Sequence, residues 1–155
     1  MGRILFLVII KRFRLKKQTF YDRIVKSQGV LNYMKTEHEK RVSLMTLLYQ
    51  QDLNPEMPLS LDEEVIDTFL AIQAKKEDVD YVIKRNLTNY TIERLSFVDR
   101  AIIRLAVYEM MFTETPKPVV INEAIILTKT FCNLDDEKQS AFTNRLLDNI
   151  KKNLG

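Results

Sequence analysis

Few side chains in this sequence have the types and spacing that catalysis or metal binding requires. The chain of 155 residues has one histidine, His38, and one cysteine, Cys132. His38 falls at the exposed start of a predicted helix. Cys132 falls on the apolar side of another, where a cysteine is more often a small core residue than a nucleophile. No cluster of His, Cys or carboxylates has metal-ligand spacing. We therefore expect a protein that is not an enzyme and that needs no metal or cofactor.

Glycine is nearly absent from the main body of the chain. The three glycines are Gly2, Gly29 and Gly155. Because none lies between residues 30 and 154, a Gly-rich phosphate loop, a dinucleotide turn or a nucleophile elbow cannot be built there. The single cysteine excludes an internal disulfide and fits a reducing cytosol, so we expect a cytoplasmic protein.

The elements that must position any site are predicted to be helices. The composition, 46% hydrophobic and 29% charged, is typical of one globular domain. A first amphipathic helix should end near Leu53, before Pro55, and Ser60 with Glu63 forms a capping-box pattern that places Asp62, Glu63 and Glu64 in the first turn of the next. No stretch alternates like a strand, which predicts an all-α fold. The apolar stripes are Val42, Met45 and Tyr49; Leu61, Val65, Phe69 and Ile72; Val79, Val82, Ile83, Leu87 and Tyr90; Ile121, Ala124, Ile125 and Thr128; Phe142, Leu146, Ile150 and Leu154.

One predicted helix has apolar residues on nearly every side. It covers residues 98–110, and Ser96 with Asp99 has the pattern of its N-terminal cap. Such a helix belongs in the middle of a bundle. A charge on a largely buried helix must reach solvent, a paired partner or another molecule. That requirement applies to Asp99, Arg100, Arg104 and Glu109.

Charge divides the chain into two unequal parts. Residues 1–35 carry nine Lys or Arg and one acid, Asp22, for a net of +8. The whole chain is +3, so residues 36–155 carry −5. The basic character therefore belongs to the N-terminal extension, and the rest of the chain is mildly acidic. The apolar run 4–10 is far shorter than the roughly 18 to 20 residues that span a bilayer, so no membrane partner is expected.

Four ordered segments of the chain form a set of motifs. Asp99 to Met110 reads D-R-A-I-I-R-L-A-V-Y-E-M, and Ile121 to Phe131 reads I-N-E-A-I-I-L-T-K-T-F. Together with residues 41–49 and 142–148, these segments resemble the NusB family of bacterial transcription antitermination factors. The first two match family stretches almost position for position, while residues 41–49 resemble the family's first helix and residues 142–148 its F-V-N-G-V-L-D motif. The resemblance covers roughly residues 36–152. It implies a helical bundle of about six to seven helices, arranged as two packed three-helix subbundles.

We accordingly divide the chain into a basic extension, residues 1–35, and a NusB-like helical domain, residues 36–155. Met34 lies just ahead of the family's first helix, so translation starting there is one explanation of the extension, as is a poorly ordered tail. An RNA-binding arm is another, because aromatic residues are interleaved with the basic stretch 11–17 and follow it. The last explanation of the extension is a packed extra structural element.

The resemblance implies that the start of the first helix contacts a single-stranded RNA element called boxA. The corresponding residues here are Lys35, His38, Lys40 and Arg41. Where relatives have several arginines, this chain reads Glu37-His38-Glu39-Lys40-Arg41, and the two glutamates repel phosphate. Either RNA affinity is weakened or the task moves to the upstream basic residues. The alternative is a solvated helix start with a Glu37–Arg41 pair at i,i+4 spacing.

A second RNA-contact region is implied near the C-terminus, where Asp136, Lys138 and Arg145 correspond to it. Acids before a helix are equally well explained by N-terminal capping. Arg145 replaces a family glycine, so either local packing differs or Arg145 projects outward and restores a positive contact. Phe142 is the aromatic residue of the family motif, and its spacing favours core packing.

The family's protein partner is NusE, a small-subunit ribosomal protein, and an acidic domain suits a basic partner. Asp99 aligns with a position on the central helix that meets NusE, and Tyr49 lies nearby at the end of the first helix. The alternatives are a helix cap for Asp99 and a core-edge position for Tyr49.

The resemblance implies a non-enzymatic factor that pairs with NusE on boxA-like RNA in an antitermination complex with RNA polymerase, in rRNA transcription. Two other functions stay open. One is a detached NusB-like module of an rRNA cytosine methyltransferase, and the other is a helical ribosome-assembly or dimerisation module without RNA binding. A homodimer is also open.

Overall fold

The first helix begins where Thr36 caps it. The computed structural model describes residues 34–56, 58, 62–132 and 137–155. Thr36 Oγ1 accepts a hydrogen bond from the Glu39 backbone N–H at 3.2 Å, and the Glu39 carboxylate accepts one from the Thr36 N–H at 2.7 Å. This reciprocal capping box satisfies two N–H groups that have no partner within the helix. The helix, α1, runs Glu37–Leu53 and ends before Pro55, as predicted.

Five more helices follow in the part of the chain that the structure describes. They are α2 Ile66–Ala74, α3 Lys76–Asn86, α4 Phe97–Phe112, α5 Lys117–Phe131 and α6 Lys138–Leu154, with a 3₁₀ turn at Ile92–Arg94 before α4. No strand occurs among these residues. The prediction of an all-α bundle is confirmed. None of the described helices combines the length and apolarity needed to cross a membrane.

Helix α4 lies at the centre of the bundle, as its apolar circumference predicted. It packs against α1, α3, α5 and α6, and its residues Ile103 and Val107 are completely buried. The predicted cap is present, because Ser96 Oγ accepts a hydrogen bond from the Asp99 N–H at 3.1 Å. The first three helices contact one another in chain order, the last three all contact one another, and α1, α3, α4 and α6 join the two groups.

The beginning of α2 differs from the predicted one. Glu63 and Glu64 lie in a turn before the helix rather than in its first turn, and the helix begins at Ile66. Asp62 Oδ1 accepts a hydrogen bond from the Glu64 N–H at 3.2 Å, a local contact that competes with helix formation. Of the predicted stripe, Val65, Phe69 and Ile72 are buried, while Ser60 and Leu61 lie outside the described residues.

The end of α3 also differs. The predicted stripe continued through Leu87 and Tyr90, but the helix stops at Asn86 and Leu87 is extended. Asn89 then adopts a φ of +55°, a left-handed conformation that Asn tolerates better than most residues. This turn takes Tyr90 out of the helix and brings its ring to within 5.8 Å of the Phe142 ring on α6, measured between centroids.

Candidate nucleic-acid interface

The two arginines of the central helix are paired with carboxylates inside the protein. Arg104 donates to both carboxylate oxygens of Asp80, at 2.7 and 2.9 Å, and its third nitrogen lies 3.2 Å from Asp52. Burial disfavours the Arg104 cation, but the two carboxylates outweigh this effect and raise its pKa. Arg100 donates to Asp52 at 2.8 Å and also to three backbone carbonyls between residues 92 and 95. These arginines therefore hold α4 to its neighbours.

Arg41, a predicted RNA contact, is bound to Glu109 of α4. Its Nε donates to Glu109 Oε1 at 2.9 Å and its Nη2 to Oε2 at 2.9 Å, and both side chains are 11% exposed. The hydrogen bond to Glu109 raises the pKa of Arg41 against the opposing effect of burial. The remaining nitrogen, Nη1, lies 4.0 Å from Glu123 of α5. The predicted Glu37–Arg41 pair was wrong, because the approach of α4 brings a better partner to Arg41.

The other predicted contacts on α1 also have carboxylate partners. Lys40 Nζ lies 2.9 Å from Glu37 Oε1, and this hydrogen bond lowers the pKa of Glu37 and raises that of Lys40. His38 Nδ1 lies 2.9 Å from Glu123 Oε2. We call Lys35, His38, Lys40 and Arg41 the α1 face.

Lys35 completes this pattern on the α1 face. Its ammonium group contacts the Asp62 carboxylate and lies 3.0 Å from Ser43 Oγ. Each member of the α1 face thus meets an acid of the same chain, and these acids offset its positive charge.

A second candidate region is a groove between the 3₁₀ turn and the start of α6. The Tyr90 and Phe142 rings meet there at an interplanar angle of 57°, and the Arg94 guanidinium lies 4.9 Å from the centre of the Tyr90 ring. The groove has a volume of about 600 Å³. We call it the α6 groove; it is lined by Tyr90, Leu95, Ser96, Asp99, Lys138, Gln139, Ala141, Phe142 and Arg145.

The α6 groove brings together three residues that the sequence assigned to binding. Lys138 and Arg145 were predicted RNA contacts and Asp99 a predicted partner contact, and all three line it. Arg145 is exposed, as one of its two predicted arrangements requires. Phe142 is half-buried against the core, in agreement with its predicted packing role, yet it also lines the groove. Asp136 lies outside the described residues.

The two predicted partner contacts, Asp99 and Tyr49, are both at least partly buried in the protein. Asp99 is 7% exposed, and its Oδ2 accepts a hydrogen bond from Ser96 Oγ at 2.6 Å. Tyr49 is half-buried against the core.

Burial and the neighbouring Asp99 carboxylate raise the pKa of the Cys132 thiol to about 12, which keeps that thiol protonated at neutral pH. Across the described ranges, no three His, Cys or acidic residues are placed to hold a metal ion.

Sequence reasoning missed several residues at these two regions. Tyr90 and Arg94 were not assigned to a site, although the same Tyr-x-x-x-Arg spacing occurs at Tyr81 and Arg85, where the Arg85 guanidinium lies 5.7 Å from the ring centre. That repeated spacing could have identified Tyr90 and Arg94 as candidate site residues. Glu123 gave no such signal, because it approaches the α1 face only through the packing of α5.

Comparison with known proteins adds a family relationship to this geometry. A family model described as the NusB family matches residues 27–152. The transcription antitermination protein NusB of Campylobacter curvus is 38% identical over 131 residues, covering 76% of this chain and 98% of the relative. The NusB protein of Bacillus licheniformis is 38% identical over 128 residues, covering 77% of this chain and 97% of the relative.

Solved structures give the same relationship. NusB of T. maritima superimposes with a TM-score of 0.65 at 29% identity, covering 77% of this chain and 93% of that one. A chain in a crystal structure of the antitermination factors NusB and NusE in complex with dsRNA has a TM-score of 0.60 at 24% identity, covering 77% and 99%. The second likeness concerns the fold.

Proposed function

This chain belongs to the NusB family, and we propose that it is a non-enzymatic transcription antitermination factor that binds boxA-like single-stranded RNA together with NusE. In this proposal it acts in the cytoplasm, in rRNA transcription, within a complex that includes RNA polymerase. The observation that carries the RNA-binding part is the α6 groove, where aromatic rings and cations line one open surface.

The α6 groove has the chemistry that single-stranded RNA requires. Unstacked bases bind aromatic faces, and phosphates bind Lys and Arg. Tyr90 and Phe142 supply two rings, and Lys138 and Arg145 supply the cations beside them. We therefore assign the principal RNA contacts to this groove. Asp136 remains a proposed RNA contact through its correspondence with the family's second RNA-contact region.

The α1 face is the second part of the proposed RNA surface. Lys35, His38, Lys40 and Arg41 correspond to RNA contacts of the family, but each is paired with a carboxylate of this chain. Phosphate must compete with those carboxylates, which lowers the affinity that this face contributes.

Charge and family membership support NusE as the protein partner. The net charge of −5 on residues 36–155 suits a basic ribosomal protein. Tyr49 and Asp99 remain our proposed contacts, although both are at least half-buried in the protein alone. This chain covers 98% and 97% of two relatives that carry the antitermination name, which favours the factor over a module of a methyltransferase.

A binding experiment tests this function. Fluorescence anisotropy of a labelled single-stranded RNA with a boxA-like element would be measured against full-length protein, with and without purified NusE, at two salt concentrations. We expect tighter binding when NusE is present and weaker binding at higher salt. Failure of NusE to change the affinity would overturn the joint-binding proposal, and absence of RNA binding under every condition would overturn the RNA-binding one.

The groove assignment has its own variant. Arg145→Gln removes one phosphate contact, so the slope of log affinity against log salt should fall by about 0.7. Lys152→Gln is the matched control, because Lys152 is an exposed cation of the same helix away from the groove lining. Equal slopes for the two variants would remove Arg145 from the proposed site.

A further inference from the structure

Glu123 occupies an unusual position beside the α1 face. It lies on α5, yet its carboxylate Oε2 is 2.9 Å from His38 Nδ1 and 4.0 Å from Arg41 Nη1, two side chains of α1. Glu123 therefore places a carboxylate next to two predicted RNA contacts.

The hydrogen-bonding pattern of Arg41 shows which of its atoms this acid faces. Glu109 accepts hydrogen bonds from Nε and Nη2 of Arg41, and this pair is largely shielded from solvent. Nη1 is the donor that faces Glu123 instead. A phosphate oxygen approaching the α1 face would meet the His38 ring first, because the His38 side chain is 46% exposed, and Arg41 Nη1 shares Glu123 Oε2 with that ring.

The pairs on this face differ in how readily a phosphate could exchange with them. Arg41 and Glu109 share two parallel hydrogen bonds and are 11% exposed, so opening that pair would leave a charge buried. Glu123 is held by one short contact to an exposed imidazole and one long contact to Arg41, and its side chain is 19% exposed. A single contact whose partner is largely exposed exchanges more readily than the two parallel hydrogen bonds between Arg41 and Glu109.

We propose that Glu123 competes with RNA phosphate for His38 and Arg41 Nη1 and thereby limits the RNA affinity of the α1 face. This inference rests on the proposed RNA-binding function and assigns Glu123 the part of a competitor built into the protein. The competition has two components: Glu123 occupies the donors, and its negative charge repels an approaching phosphate.

Neutralising this carboxylate should therefore tighten RNA binding. Glu123→Gln keeps the shape of the side chain and a polar group that can hydrogen-bond to His38 Nδ1, so α5 should pack as before. We expect an affinity about two- to fivefold higher, the range that corresponds to one exposed ion pair. The slope of log affinity against log salt should steepen by about 0.7 for each further phosphate that the variant neutralises.

Glu114→Gln provides the matched control. Glu114 is an exposed acid between α4 and α5, and its replacement changes the net charge by the same amount. Both variants and the parent protein would be titrated with the labelled boxA-like RNA at two salt concentrations, and urea unfolding would verify that each is folded. An equal increase in affinity for both variants would show that the effect comes from net charge alone, and it would overturn the proposal.

A double-mutant cycle tests the link to His38. His38→Ala should reduce RNA affinity more in the Glu123→Gln background than in the parent, because only there is the negative charge beside the imidazole removed. Identical effects in both backgrounds would show that Glu123 does not act through His38. If the parent binds RNA and Glu123→Gln binds no better than the control, this inference fails alone. If neither parent nor variant binds RNA, the proposed function fails as well.

Discussion

The α1 face and the α6 groove each collect basic residues, but the groups around those residues differ. On the α1 face every predicted contact meets a carboxylate of the same chain, contributed from the start of α1, from α4, from α5 or from the turn before α2. In the α6 groove, the cations stand beside two aromatic rings around an open volume of about 600 Å³. The number of cations in a segment therefore does not define a phosphate-binding surface. The acids that the fold brings to those cations decide the local charge.

The largest effect that separates the two regions concerns stability. Arg41→Gln removes one partner of a pair that is 11% exposed on both sides and leaves Glu109 with an unpaired charge. Breaking a buried pair in this way costs about 3 to 5 kcal/mol of unfolding free energy, and we expect the lower end because both groups retain some solvent contact. Urea denaturation measures the loss.

Two matched variants sharpen this comparison. Lys40→Gln acts on the neighbouring cation, whose pair with Glu37 lies in solvent, and should leave the urea midpoint nearly unchanged. Arg145→Gln in the α6 groove should also leave stability nearly unchanged while weakening RNA binding. Should Arg41→Gln prove as stable as these two, Arg41 would belong with the binding residues rather than with the bundle.

The next effect concerns RNA affinity in the α6 groove. Tyr90→Leu keeps an apolar side chain but removes the ring that faces Phe142 and Arg94. Stacking of one base on an aromatic ring is worth about 1 to 3 kcal/mol, so RNA affinity should fall about fivefold or more. The control is Tyr81→Leu, which removes the other tyrosine that has an arginine four residues later, outside the groove lining. Similar losses of affinity for both variants would show that RNA binding does not depend on the groove.

Helix α4 shows what the sequence was able to predict. Its extent, its central position and its Ser96 cap depend on apolar periodicity and on a hydrogen bond between residues three apart, and both are local properties of the chain. The need of Arg104 for a partner was also predictable, because a buried cation requires one. Its actual partners, Asp80 of α3 and Asp52 of α1, were not.

The state of the α1 face shows what the sequence was unable to predict. Spacing favoured Glu37 as the partner of Arg41, but the two bonds from Glu109 are available only after α4 packs against α1, and Glu37 then pairs with Lys40. The α6 groove was missed for a related reason. Periodicity alone placed Tyr90 on a helix, whereas the turn at Asn89 carries it to Phe142. Both failures come from contacts between residues that are distant in sequence.

The smallest effect is a pH dependence at the exposed edge of the α1 face. The hydrogen bond from Lys40 lowers the pKa of Glu37 below its ordinary value of 4.5. A carboxyl group whose pKa is lower in the folded protein adds stability above its unfolded pKa and loses that contribution as the pH falls through the folded value. The urea midpoint of the parent should therefore exceed that of Glu37→Gln above pH 4.5, and the difference should disappear as the pH falls further. In the Lys40→Gln background, Glu37→Gln should produce almost no such difference at any pH, because the bond that lowers the pKa is missing. A difference that survived there would mean that another group, such as Arg41, lowers the pKa of Glu37.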